Sequence, residues 1–166
     1  MLLANVAVGF VQLIVAVVFA VLALYIGFTV LGKITKGIDE EKELARGNVA
    51  VGIVVAAVFF AIAVVVESGV SGLSLGINKA LEVGIFTGDG LLVVVAAFVQ
   101  LLLGVVLAIG AIYLALTILE KLTKNVNEFE ELRKGNVAVA LEMAGVIVAV
   151  AVIVQAGVLG ITAALI

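Results

Sequence analysis

The chain has 166 residues, 66% hydrophobic and 13% charged, with a mean hydropathy of +1.46, whereas a soluble domain is about 45–50% apolar and about 25% charged; a water-soluble fold is excluded. Cysteine and histidine are both absent, which removes disulfides, thiol chemistry and the commonest metal ligand and general base. The net charge of −3 says little, because most charges fall in two short segments.

Leu2 to Leu31 is one apolar run, interrupted by Asn5, Gln12 and a few small residues. It predicts a helix of about 45 Å at 1.5 Å per residue, longer than a hydrocarbon core of about 30 Å, so it must tilt, bend or project. The N-terminus has no basic region and the run is too long for a signal peptide, so this helix is expected to remain in the mature protein. Lys33 and Lys36 mark its end, and Gly37 follows, a residue suited to a left-handed helix terminus. Asp39 is then expected to cap a second helix, with Glu40, Glu41 and Glu43 near its positive end. That helix is expected to pass through Gly47-Asn48 and continue to about Glu67 or Ser68.

Residues 71–89 read as a linker holding Ser71, Gly72, Ser74, Gly76, Lys79 and Glu82. Leu73, Ile77, Ala80, Leu81 and Gly84 fall near helical spacing, so part of it is expected to lie along the membrane surface. Asp89 is expected to cap a third helix running from Leu91 to about Thr123. Asn125 stands where Gly37 stood, and Asn127 with Glu130 forms a capping-box pattern for the fourth helix.

Asp39 to Val51 reads DEEKELARGNVAV and Asn127 to Val139 reads NEFEELRKGNVAV, an offset of 88 residues. Phe10 and Phe98, Gln12 and Gln100, Tyr25 and Tyr113, Thr29 and Thr117, and Thr35 and Thr123 match at the same offset. The fold class is therefore all-α: a polytopic membrane protein of four transmembrane helices, arranged as two tandem helical hairpins (1–70 and 90–166). Each unit crosses twice, so the repeats are parallel, not inverted. Eight of the nine basic residues lie at the two hairpin turns; only Lys79 does not. The positive-inside rule then places both turns in the cytoplasm, with the termini and the 71–89 linker outside.

Counting at 1.5 Å per residue from Lys33, Arg46, Lys121 and Lys134 puts Gln12, Glu67, Gln100 and Gln155 all about 31 Å from the inner boundary. Such a polar tier either marks the outer interface, its members bonding across helices, or forms the outer mouth of an ion pathway. Glu142 lies about 12 Å inside the bilayer on the same count. A carboxyl there costs several kcal/mol unless paired, protonated or wet. Tyr113 falls at the same depth on the adjacent helix, so a Tyr113–Glu142 hydrogen bond is expected, with Thr117 one turn nearer the boundary. Two readings of Glu142 stand: an ion- or proton-handling acid, and a neutral carboxyl bridging helices. Val54 occupies its place in the first repeat, so the copies have diverged here.

Gly47-Asn48 and Gly135-Asn136 read as helix-packing motifs, glycine allowing close approach and asparagine bonding across the contact; a headgroup site beside Arg46 and Lys134 is the other reading. Gly104 with Ala108, Ala111 with Ala115, and Gly145 with Ala149 suggest further close helix contacts. Ser68, Ser71 and Ser74 have no base to activate them, and no phosphate loop or metal-ligand spacing occurs. No enzymatic activity, cofactor, metal or nucleic-acid partner is expected.

The motif Thr-x-x-x-(Asp/Asn) followed by Glu-Leu-x-x-Gly-Asn-x-Ala comprises Thr35, Asp39, Glu43, Gly47, Asn48 and Ala50, then Thr123, Asn127, Glu131, Gly135, Asn136 and Ala138. In this it resembles the YjfL-type family of prokaryotic membrane proteins, whose domain of unknown function (DUF350) is usually present twice per chain. The resemblance covers nearly the whole chain; Asn127 in place of an acid is a departure. It implies a cell (inner) membrane location and supplies no established activity. The duplicated proteolipid of rotary ATPases is similar in having four helices and a glutamate retained only in the fourth. That glutamate normally sits near mid-membrane, however, and its glycine-rich first and third helices are missing here. The expected partners are the lipid bilayer, further copies of the chain and a protein at the cytoplasmic turns. The expected function is an oligomeric scaffold or partner-binding subunit, with an ion or proton conductor using Glu142 as the alternative and a rotary proteolipid as the third reading.

Overall fold

The structure, a computed structural model, describes residues 2–35, 37–84, 86–123 and 126–165. Lys36 and Asn125, read above as boundary or turn residues, and Lys124, one of the eight basic residues at the hairpin turns, lie outside the described set. Four long helices and two short ones follow in order: α1 (Leu2–Ile34), α2 (Glu40–Ala45), α3 (Val49–Val83), α4 (Gly88–Leu122), α5 (Glu128–Arg133) and α6 (Val137–Leu165). The sequence holds no proline, so nothing breaks the long runs, and in lipid a helix satisfies every backbone group within its own segment. α1, α3, α4 and α6 are each long and apolar enough to cross a membrane, and the chain is a multi-pass membrane protein.

α1 and α3 form the first hairpin, α4 and α6 the second. α3 is central and packs on α1, α4 and α6, while α6 packs on α3 and α4. Ala50, Val54 and Ala61 of α3 and Met143, Ile147 and Ala151 of α6 belong to one buried core. Glycines set the helix spacing: a methyl group on Gly69 would collide with Leu101, and one on Gly76 would lie 2.8 Å from the Ala97 Cβ. Such approach lets backbones pack closely, the main source of helix association in lipid. Of the small-residue pairs, Gly104 and Ala108 are buried, whereas Gly145 and Ala149 face outward.

Three sequence expectations are corrected. The second and fourth helices do not run through Gly47-Asn48 and Gly135-Asn136. Instead α2 and α5 end at those glycines, with φ +77° and +82°, and new helices start. Asn48 N donates to Glu43 O and Gly47 N to Leu44 O; Asn136 N and Gly135 N repeat this with Glu131 O and Leu132 O. This is a Schellman stop, and it uses glycine for its left-handed backbone. Asn48 Oδ1 then accepts from Val51 N, and Asn136 Oδ1 from Ala138 N, so each asparagine caps the next helix. Second, the segment read as a linker from residue 71 is helical to Val83; Gly72 and Gly76 lie on its buried side, and Gly76 packs against Val93 and Ala97 of α4. Third, Thr87, not Asp89, caps α4: its side chain accepts from Gly90 N at 3.1 Å, and Asp89 lies in the first turn. Asp39 and Asn127 cap α2 and α5 as expected, accepting from Lys42 N and Glu130 N.

Candidate functional site

The turn end of the bundle is built twice from the same parts. In the first copy Thr35 Oγ1 reaches the Leu31 carbonyl at 2.9 Å and bonds the Glu40 carboxyl. In the second, Thr123 Oγ1 reaches Leu119 O at 2.8 Å and bonds the Glu128 carboxyl. Both glutamates are buried, and Glu128 Oε2 has no partner among the described residues. These threonine–glutamate ties fasten the short helix to the end of the preceding long one. The sequence carries their signal, a threonine five residues before a glutamate in both copies. It was masked by the neighbouring Asp39 and Asn127 caps, which account for an acidic first turn without it.

The asparagines complete the arrangement. Asn48 Nδ2 donates to Glu43 Oε2 at 2.9 Å and to the Leu132 carbonyl at 2.9 Å, so both its N–H groups are used, one of them across the two repeats. Asn136 Nδ2 donates to Glu131 Oε2 at 2.8 Å and makes no other bond among the described residues. Glu131 also pairs with Lys134 at 2.9 Å. The Asn136 amide and then Lys134 hold the Glu131 carboxyl below its ordinary range, while Glu131 and then Glu130 raise the Lys134 ammonium. Val126, Asn127, Glu130, Glu131, Lys134, Asn136 and Val139 line an open cleft on this outer side of α5. As for close approach, a methyl on Gly47 would meet nothing within 4 Å, and one on Gly135 only Asn48 Oδ1 at 3.8 Å. Both glycines serve the turn rather than tight packing.

The polar tier is divided. Gln155 Nε2 donates to Glu67 Oε2 at 3.3 Å between α6 and α3. Gln100 Nε2 donates to the Val158 carbonyl at 3.1 Å between α4 and α6. Gln12 Nε2 is buried with no partner among the described residues.

Glu142 and Tyr113 do not meet. Both side chains are exposed on the outside of the bundle, and no hydrogen bond joins them among the described residues. The Thr117 hydroxyl donates to the Tyr113 carbonyl at 2.8 Å within its own helix, as Thr29 does to Tyr25 at 2.9 Å. Equal depth did not bring the pair together because their rotational positions on α4 and α6 diverge. Glu142 therefore stands inside an apolar span with no hydrogen-bond or ion-pair partner among the described residues.

Comparison with curated proteins and with solved structures returns no match. The sequence profile of the Domain of Unknown Function (DUF350) matches residues 4–106 and again residues 93–166. The doubled match and the doubled turn-end architecture agree, and the chain belongs to the DUF350 family with two tandem copies of the domain.

Proposed function

We propose that the protein is a non-enzymatic, homo-oligomeric membrane subunit that acts as a scaffold or partner-binding element in a prokaryotic cell (inner) membrane. Both hairpin turns face the cytoplasm in this reading, supported by the eight basic residues placed at them in the sequence. The observation that carries it is Glu142, exposed on α6 within an apolar span. A carboxyl in that position costs several kcal/mol unless it finds a partner or water, and a neighbouring subunit is the surface able to cover it. The Ser68 hydroxyl is committed to the Val65 carbonyl at 2.9 Å, which argues against a serine nucleophile there.

Conduction is the second reading, favoured by Glu142 itself. The path would run between subunits, because three of the four tier residues inside one subunit, all but Gln12, are tied up in the Gln155–Glu67 and Gln100–Val158 bonds. A rotary proteolipid role is less supported, since Glu142 lies close to the turn end of α6. The test combines particle mass in lipid nanodiscs with cation and proton flux in proteoliposomes, for wild type and Glu142→Gln. An oligomer without flux supports the scaffold. Flux that vanishes in the variant moves the conclusion to conduction, and a monomeric particle contradicts the oligomer.

A further inference from the structure

The repeats are alike in sequence but unlike in burial, and the differences fall on two faces. Ala50, Val54, Ala57, Ala61, Val65 and Ser68 form a buried face of α3; their counterparts Ala138, Glu142, Gly145, Ala149, Ile153 and Ala156 form an exposed face of α6. Val65 is 1% exposed and Ile153 71%; Ala61 is 0% exposed. The reverse holds for the surface that the second repeat presents to α3. Leu132 and Leu101 are each 1% exposed, whereas their first-repeat counterparts Leu44 and Leu13 are 40% and 58% exposed. A two-fold relation between the repeats would have buried both members of every pair. The contact within the chain is instead heterologous: a face of repeat 1 meets a different face of repeat 2, leaving one complementary face free at each end.

We infer that copies of this chain assemble head to tail. The free face of α6 and the Asn136 cleft of one subunit receive α1, α2 and α3 of the next, repeating how α3 and Asn48 receive α4, α5 and α6. This rests on the homo-oligomer reading and specifies its contact. Particular atoms are waiting for it. Asn48 spends its second N–H on the Leu132 carbonyl; the second N–H of Asn136 is without a partner among the described residues, and the Leu44 carbonyl takes only the local backbone N–H groups of Gly47 and Arg46 there. Gly69 lies against Leu101, while its counterpart Gly157 has nothing within 4 Å, and Leu13 is the residue that would fill that place. Glu142 falls in the position of buried Val54, so the same contact removes it from lipid. Because the repeats are parallel, each added copy keeps the same orientation in the bilayer, as an assembly in one membrane requires. Lipid-facing apolar residues alone would signify nothing in a membrane protein; the asymmetry between counterparts and the unused amide carry the inference.

The absence of cysteine makes the test clean. Differently tagged Leu44→Cys and Asn136→Cys chains are co-expressed and treated with a short thiol-reactive cross-linker. A single chain carrying Leu132→Cys and Asn48→Cys is the internal control for this geometry and for folding. A second interchain pair, Leu13→Cys with Gly157→Cys, repeats the test inside the membrane. Head-to-tail packing gives mixed-tag dimers at a yield near that of the internal control. Each single-cysteine chain expressed alone gives none. An oligomeric particle in which neither pair cross-links, or in which Asn136→Cys links to itself, overturns head-to-tail packing while leaving the oligomer. A monomeric particle overturns both.

Discussion

At the scale of single residues, the turn end depends on two buried glutamates, each held by one hydroxyl. Thr35→Val removes the side-chain donor from Glu40 without changing volume much. A buried polar group left unsatisfied costs about 1–3 kcal/mol, so the variant should unfold with that loss, read by denaturant titration in detergent; Thr35→Ser should recover most of it. Thr123→Val should behave alike through Glu128. The exposed Glu131–Lys134 pair acts through charge. Glu131 is held below its ordinary 4.5, so its contribution is full above that value and fades as pH falls through the lowered pKa. Lys134 is raised above its ordinary 10.5, so its contribution is full below that value and is lost as pH rises through the raised pKa. Asn136→Ala removes the largest cause acting on Glu131. Its carboxyl should then titrate closer to 4.5, followed by carbon NMR of labelled glutamate; an unmoved titration would mean the amide is not the cause.

At the scale of elements, the stop at Gly47 and the restart at Asn48 end the charged short helix and begin the apolar span as a separate helix. Gly47→Ala places a Cβ on a left-handed backbone, at a cost of about 1–2 kcal/mol, and Gly135→Ala should match it, both measured as a fall in thermal midpoint. The long helices were legible in the sequence because an uncharged run of Val, Leu, Ile and Ala has one solution in lipid. The duplication was legible from thirteen-residue segments aligned at a fixed offset. The stop–start was not, although Gly-Asn after Glu-Leu is the right chemistry for it. A glycine inside a helix-forming run looks the same whether it serves packing or a positive φ. The Tyr113–Glu142 pairing failed for a related reason: counting residues fixes depth along a helix but not which way each side chain turns. Residues 71–83 were misread because glycine and serine suggest a linker in water. Between packed helices they are the residues that permit contact, as Gly69, Gly72 and Gly76 do on the buried side of α3.

At the scale of the whole molecule, orientation and assembly are separate questions. With the hairpin turns inside, a cysteine at Phe86, a fully exposed position between α3 and α4, should react with a membrane-impermeant maleimide on intact cells, and one at Glu41 only after lysis. The opposite pattern would invert the topology. The proposed assembly rests on a parallel duplication whose internal contact is heterologous, so that each chain keeps one free face of either kind. The most direct measurement is the particle mass in nanodiscs of Ala149→Trp, which puts a bulky ring on the free face of α6, beside wild type and Leu114→Trp. Leu114 is exposed on α4, as is its counterpart Ile26, so it is the lipid-facing control. Head-to-tail packing predicts a discrete oligomer for wild type and for Leu114→Trp, and a folded, helical monomer for Ala149→Trp. An Ala149→Trp particle with the wild-type oligomer mass would contradict it.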